Sequence, residues 1–140
     1  MLFSIAYAED SEGYIKADVW SKIAFQLEKA GNYEQAKEYY QKAVDLDPNK
    51  YEAYTNLGLI YVREGEYVKA IKCYQKTIEL IPDDWRCYYN LGVVYNNMGD
   101  EENALKQVVE LREINENERA DELKELVDSK KVLDSEARFE

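Results

Sequence analysis

The chain has 140 residues, with 29 acidic and 18 basic side chains and a formal net charge of −11. This length fits one domain with a modest core, and the hydrophobic content of 46% is that of a folded protein. The acidic charge disfavours nucleic-acid binding, and no apolar stretch of the sequence is long enough to insert into a membrane as a spanning helix.

Histidine is absent from the sequence, which excludes Ser-His-Asp and Cys-His catalysis and nearly every catalytic zinc arrangement. The two cysteines, Cys73 and Cys87, cannot supply a four-ligand sulfur site and do not form a Cys-x-x-Cys pair. We interpret them as half-buried structural thiols, with a disulfide or a reactive thiol as the alternative. We therefore expect a protein that is not an enzyme and that holds no cofactor and no metal.

Residues 1–14 form an N-terminal segment with two interpretations. Its Ala6-Tyr7-Ala8 run precedes two acidic residues and resembles the tail of a secretory signal peptide, which would place the protein in the periplasm or outside the cell. The segment lacks a basic start, however, and its apolar core is short. If Met1 is the true start, we expect a cytoplasmic protein whose apolar N-terminal segment packs on the first helix.

From residue 17 to about residue 118, the sequence repeats at a step of 34 residues. Glycines, prolines and alanines recur at this step, as Gly31, Gly65 and Gly99, as Gly58 and Gly92, as Pro48 and Pro82, and as Ala36, Ala70 and Ala104. Glycine can adopt the left-handed conformation that ends many helices, and proline cannot continue one. Each repeat is therefore predicted to contain two helices, the first ending before a glycine and the second before a proline.

Two finer features follow from the same pattern. Asn49 and Asp83 follow the prolines and are predicted N-caps, with Glu52 completing a capping box after Asn49. Gly58 and Gly92 lie within helices, where glycine costs about 1 kcal/mol relative to alanine. We expect a close approach between helices to compensate, with the glycines facing the recurring alanines of the second helices.

This spacing resembles the tetratricopeptide repeat family, whose pattern is an aromatic residue, Leu-Gly, Tyr, Ala, an aromatic residue, Ala and Pro. The first unit carries it as Trp20, Ile23-Ala24, Leu27, Ala36, Tyr40, Ala43 and Pro48, and the second as Tyr54, Leu57-Gly58, Tyr61, Ala70, Tyr74, Thr77 and Pro82. The third carries Tyr88, Leu91-Gly92, Tyr95 and Ala104, then departs at Val108, Leu111 and Glu116. The resemblance implies an all-α, right-handed helical-repeat solenoid of three helix pairs at 15–50, 51–84 and 85–118.

Residues 119–140 lose the repeat but keep a narrow apolar stripe of Ala120, Leu123, Leu126 and Val127. We predict a C-terminal capping helix that covers the last repeat with this stripe and exposes its charged face to water. Pairing of this helix with its copy in a dimer is the alternative.

In this family the first helices line a concave groove, so the resemblance implies a protein-interaction module, an adaptor or scaffold that binds a peptide of an unidentified partner. Its groove residues here are Lys22, Phe25, Lys29, Asn56, Leu59, Val62, Arg63, Arg86, Tyr89, Asn90, Val93 and Asn97. Apolar side chains that the repeat core does not need would anchor the peptide, and asparagines would bond its backbone. The alternatives are a groove covered by the protein's own N-terminal segment, and a homo-oligomeric scaffold that assembles through terminal or convex surfaces.

Many family members hold the C-terminal tail of heat-shock chaperones with a five-residue carboxylate clamp. The corresponding positions are Ser21, Phe25, Asn56, Arg86 and Asn90. Only Asn56 matches fully, and Arg86 is a conservative replacement. We therefore predict no tight binding of chaperone tails, because most of the charge-assisted bonds to a terminal carboxylate are missing.

Overall fold

The computed structural model describes residues 2–136, and the side chains of residues 12–130. Over this range it contains seven helices and no strand. The helices are α1 (Leu2–Lys29), α2 (Tyr33–Leu46), α3 (Tyr51–Arg63), α4 (Tyr67–Leu80), α5 (Trp85–Met98), α6 (Glu101–Glu113) and α7 (Asn117–Glu136). They form two compact units, unit 1 from Met1 to Glu66 and unit 2 from Tyr67 to Glu140.

Unit 1 contains α1, α2 and α3, with α2 packed against both other helices. Small side chains make the close contact between α1 and α2 possible, because Ala17, Ala24 and Ala36 are fully buried. Tyr40 of α2 is also fully buried. The helix α1 extends without a break from Leu2, so the backbone of the N-terminal segment continues the first helix of repeat 1.

The first five helices end just before the glycines and prolines that recur every 34 residues. Gly31, Gly65 and Gly99 have φ values of 81°, 74° and 80°, the left-handed conformation predicted for them. The third repeat lacks the proline; there α6 ends at Glu113, and Asn115, two residues later, has a φ of 66°. Asparagine is the non-glycine residue best suited to this conformation, so the departure from the pattern keeps the turn.

The predicted N-caps were wrong by one residue. The cap of α5 is Asp84, whose carboxylate accepts a hydrogen bond from the Arg86 backbone N–H, and not Asp83. The residue that precedes α3 is Lys50, which makes no side-chain capping bond. Asn49 instead donates its backbone N–H to the Asp47 carboxylate at 3.0 Å, so no capping box forms there.

Unit 2 contains α4 to α7, and α7 packs on both α5 and α6. Its core cluster joins these helices through Tyr88, Ala104, Val108, Leu111, Ala120, Leu123 and Val127. The predicted capping stripe is therefore buried at three of its four positions, whereas Leu126 is exposed.

The close approach at Gly92 differs from the prediction in its partner. A Cβ added there would lie 2.3 Å from Leu123 Cδ2, and the three nearest atoms all belong to Leu123. The nearest neighbour of this glycine is thus Leu123 of α7, whereas we expected Ala104 of its own helix pair.

Candidate functional site

The predicted groove residues of unit 1 lie on α1 and α3, and we call them the unit 1 surface: Lys22, Phe25, Lys29, Asn56, Leu59, Val62 and Arg63. Phe25 and Leu59 are 44% and 39% exposed, and Val62 is half-buried. An ion pair connects α1 to the residue that precedes α3, because Lys50 Nζ lies 3.1 Å from Asp18 Oδ1 of α1. The unit 1 surface therefore presents apolar side chains from two linked helices.

Two hydrogen bonds between side chains also join α1, α2 and α3. The Tyr40 hydroxyl donates to Glu28 Oε2 at 2.8 Å and accepts from Asn56 Nδ2 at 2.9 Å. Burial, and then the hydrogen bond to Glu28, raise the pKa of Tyr40, so the hydroxyl remains a donor at neutral pH. We predicted that the Asn56 amide bonds the backbone of a peptide, but one of its N–H groups already donates to the Tyr40 hydroxyl. The bond fixes the orientation of the amide.

Each basic side chain of the unit 1 surface contacts an aromatic ring or a carboxylate. Lys29 Nζ lies 4.6 Å from the centre of the Phe25 ring, and the Arg63 guanidinium 3.9 Å from that of Tyr33. Lys22 pairs with Asp18 at 2.6 Å. Positive charge thus borders the exposed apolar side chains.

In unit 2 the predicted groove residues lie on α5, and three of them contact other side chains of the same unit. Tyr89 and Val93 are partly buried and pack against the core cluster, contrary to the expectation that the repeat core does not need them. Arg86 makes two bonds of 2.8 Å to the Asp84 carboxylate, from Nε and Nη2. Asn90 is partly buried, and Asn97 is exposed.

Lys130 of α7 was not among the predicted site residues. Its ammonium donates to the backbone carbonyls of Asn96 and Asn97, at the C-terminal end of α5 where a positive charge is stabilised. No signal in the repeat pattern pointed to this contact, because Lys130 lies in the segment that loses the repeat. The capping helix therefore reaches the part of α5 where the sequence predicted ligand contacts.

No group of three or more potential metal-binding side chains occurs among the residues described. Cys73 and Cys87 are not joined in a disulfide, and burial raises the pKa of Cys73 to about 11, which favours its protonated form at neutral pH. Within the same residues, every helix is too short or too polar to cross a membrane.

Comparison with known families agrees with this geometry. One tetratricopeptide repeat model matches residues 17–50 and 51–84, and a second matches residues 73–106. The chain belongs to the tetratricopeptide repeat family. The predicted all-α helical-repeat fold is thereby confirmed, with the helix pairs of the described residues in the tetratricopeptide order. No curated protein sequence gives a significant match.

Solved structures of other proteins show the same fold. MamA is 30% identical, over 86% of this chain and 67% of its own, with a TM-score of 0.75; the chain spans 60% of a second MamA structure. The first tetratricopeptide domain of Spaghetti, bound to the HSP90 peptide SRMEEVD, is 24% identical over 83% of this chain and 94% of its own, with a TM-score of 0.74. The Yersinia enterocolitica chaperone SycD, in complex with a YopD peptide, is 19% identical over 84% and 93%, with a TM-score of 0.73.

Proposed function

We propose that this protein is an interaction module, an adaptor, that binds a peptide segment of another protein on the unit 1 surface. The observation that carries this proposal is the exposure of Phe25 and Leu59 on α1 and α3, two helices that both pack on α2. Phe25 and Leu59 are 34 residues apart, so the repeat presents an apolar side chain twice in the same register. Apolar residues that recur on a polar-bordered surface are typical of binding sites.

The chemistry around these anchors suggests the kind of segment bound. Lys29 and Arg63 border the apolar side chains and favour a segment that carries acidic residues beside its apolar ones. The amide of Asn56, oriented by Tyr40, can accept a hydrogen bond from a peptide N–H with its oxygen. The peptide complexes of Spaghetti and SycD support this reading, because the same fold binds peptides there.

A peptide-display selection on the native protein tests the proposal. We expect enrichment of segments with apolar and acidic residues, and loss of that enrichment on a Phe25→Ser, Leu59→Ser double variant. Val68→Ser, Val109→Ser is the matched control, since it removes two exposed apolar side chains from α4 and α6. Enrichment that survives on the first variant, or that disappears equally on the control, would refute a site on the unit 1 surface.

We further infer that chaperone tails are not the natural ligand. Ser21 is buried, Phe25 offers no hydrogen bond, and Arg86 is already paired with Asp84. In an anisotropy titration, labelled SRMEEVD should bind at least about tenfold more weakly than a selected peptide, because charge-assisted bonds to its terminal carboxylate are missing. Equal affinity for the two would contradict this inference.

Self-association is the second candidate function, and the outer side of α1 favours it. Ile15, Val19 and Ile23 form an exposed apolar stripe at i, i+4 and i+8, which we call the α1 stripe; Val19 and Ile23 are 47% and 36% exposed. The equivalent residues of the later repeats are buried, namely Ala53 and Leu57 in α3 and Cys87 and Leu91 in α5. In the later repeats a preceding second helix packs on the first helix, as α2 does on α3 and α4 on α5.

Sedimentation at two protein concentrations distinguishes this candidate from a monomeric adaptor. If copies associate through the α1 stripe, the native protein sediments faster at the higher concentration, and Val19→Glu abolishes the change. Val109→Glu, an exposed valine of α6, is the control that keeps it. A native sedimentation coefficient that does not depend on concentration would exclude this candidate.

A further inference from the structure

Lys29 and Arg63 are basic side chains of the unit 1 surface that no carboxylate neutralises among the residues that the structure describes. Each lies over an aromatic ring instead, which attracts the cation but leaves its N–H groups free to donate. The chain has 29 acidic and only 18 basic side chains, so most bases find an acidic partner. Four other bases of unit 1 do so, namely Lys16, Lys22, Lys37 and Lys50.

The two bases occupy the same position in their repeats. They are 34 residues apart and lie in the last turns of α1 and α3. Four residues earlier, each helix exposes an apolar side chain, Phe25 in α1 and Leu59 in α3. Side chains at i and i+4 lie on the same face of a helix, about 6 Å apart. Unit 1 therefore presents one apolar–basic pair twice, as Phe25–Lys29 and as Leu59–Arg63.

Stabilisation of a helix end does not account for these pairs. A base in the last turn is favourable for any helix, yet α2, α4 and α5 have none there. In α5, the first helix of the third repeat, the equivalent positions hold Val93, which packs against the core cluster, and Asn97, which is uncharged. The base is thus present in the two first helices whose apolar side chain is exposed, and absent from the one whose apolar side chain is partly buried.

The other end of the unit 1 surface carries charges that are already paired. Asp18 lies about 16 Å from Lys29 along the axis of α1. Its carboxylate contacts Lys22 at 2.6 Å and Lys50 at 3.1 Å, and Lys50 also lies 3.9 Å from Glu52. An acidic side chain of a ligand is therefore attracted to the end that holds Lys29 and Arg63, where the positive charge is not neutralised.

We propose that the two apolar–basic pairs determine the specificity of the unit 1 surface, and that each binds one apolar and one acidic side chain of the peptide. The apolar side chain packs on Phe25 or Leu59, and the carboxylate accepts hydrogen bonds from Lys29 or Arg63. This inference rests on the proposed peptide-binding function and adds to it the pattern of residues that is selected.

The pattern has a defined spacing. A matching peptide carries its apolar and acidic side chains on one face, about 6 to 7 Å apart, which is a step of two residues in an extended segment or of three to four in a helix. Directly adjacent residues do not fit, because they point to different faces. Two such apolar–acidic pairs are expected in one peptide, one for each helix.

The test compares display selections of a random dodecapeptide library on the native protein, Lys29→Gln, Arg63→Gln and Lys42→Gln. Lys42 is the matched control, because it also lies over aromatic rings, those of Trp20 and Tyr39, but belongs to α2 and not to the unit 1 surface. We expect two acidic positions at fixed spacing from apolar ones on the native protein and on the control. Lys29→Gln should lose one of these positions and Arg63→Gln the other. Loss of the same position on both variants would overturn the arrangement in two pairs.

Charge reversal supplies a second readout that a structural role at the helix ends would not move. Selection on a Lys29→Glu, Arg63→Glu double variant should replace Asp and Glu by Lys and Arg at the two positions. The apolar positions should persist, because Phe25 and Leu59 are unchanged. The best peptide of the native protein should bind this variant at least about tenfold more weakly.

The outcomes separate the two proposals. An acidic preference that is missing on the native protein, lacks a fixed spacing or survives on the Lys29 and Arg63 variants would overturn the inference and leave the proposed function standing. Failure of the native protein to enrich any peptide would contradict the proposed function and the inference with it.

Discussion

Phe25, Leu59 and Val93 occupy one register position of three successive repeats, yet the two units treat them differently. In unit 1, Phe25 and Leu59 are 44% and 39% exposed. In unit 2, Val93 packs against the core cluster that α7 completes. This position is therefore exposed in unit 1 and partly buried in unit 2, where α7 also packs on α5. This is why we place the peptide on unit 1.

The largest effect should come from removing the contact that α7 makes with α5. Leu123 is fully buried against Gly92, so Leu123→Ala should lower the free energy of unfolding of unit 2 by about 3 kcal/mol. Leu126→Ala, on the exposed side of the same helix, should change it by less than about 0.5 kcal/mol. Chemical denaturation measures both. Similar losses for the two would mean that α7 does not cover α5 as described.

A smaller effect should separate the equivalent positions themselves. Val93→Ala should destabilise unit 2 by about 1 kcal/mol, because it removes two methyl groups that are partly buried. Leu59→Ala removes a larger but exposed side chain and should cost unit 1 no more than about 0.5 kcal/mol. Denaturation midpoints of the two variants test the comparison. The reverse order would show that the unit 1 surface is part of a core.

The smallest effect concerns the two ion pairs of Asp18, one with Lys22 of α1 and one with Lys50, the residue before α3. Hydrogen bonds from Lys22 and then Lys50 hold the pKa of Asp18 below its ordinary 3.8. Because the folded-state pKa is lowered, this stabilisation is present above the unfolded-state pKa and is lost as the pH falls through the folded-state value. Lys50→Met should raise the pKa of Asp18 only partway back, since Lys22 remains.

Carboxyl carbon shifts of Asp18, followed by NMR as the pH is lowered, measure this change. Lys22→Met is the matched variant and should also raise the pKa partway, because it removes the other hydrogen bond to the Asp18 carboxylate. A titration of Asp18 that neither variant moves would show that the two pairs do not form in solution.

Much of the fold could be predicted from the sequence because its signals are local. The glycines at positive φ and the prolines after α2 and α4 act within a single turn of chain, and they end the helices where the 34-residue step places them. The N-caps were missed by one residue because two adjacent residues, such as Asp83 and Asp84, can both cap a helix. Backbone geometry chooses between them.

The candidate site was less accessible to the sequence because it depends on packing between helices. The partner of Gly92 is Leu123, which lies outside the three repeats, so the repeat pattern pointed to Ala104 instead. The bond between Asn56 and Tyr40 and the cover over Val93 likewise depend on which helices adjoin. Register predicted which residues share a face, and only the structure distinguished the exposed ones.

The central claim, that a peptide binds on the unit 1 surface, is tested most directly by NMR. Amide shifts of the isotope-labelled protein would be followed during titration with a peptide enriched by selection on the native protein. We predict that the largest changes occur in α1 and α3, around Phe25, Asn56 and Leu59. Changes confined to α6 and α7, or to the α1 stripe at Ile15, Val19 and Ile23, would contradict the claim.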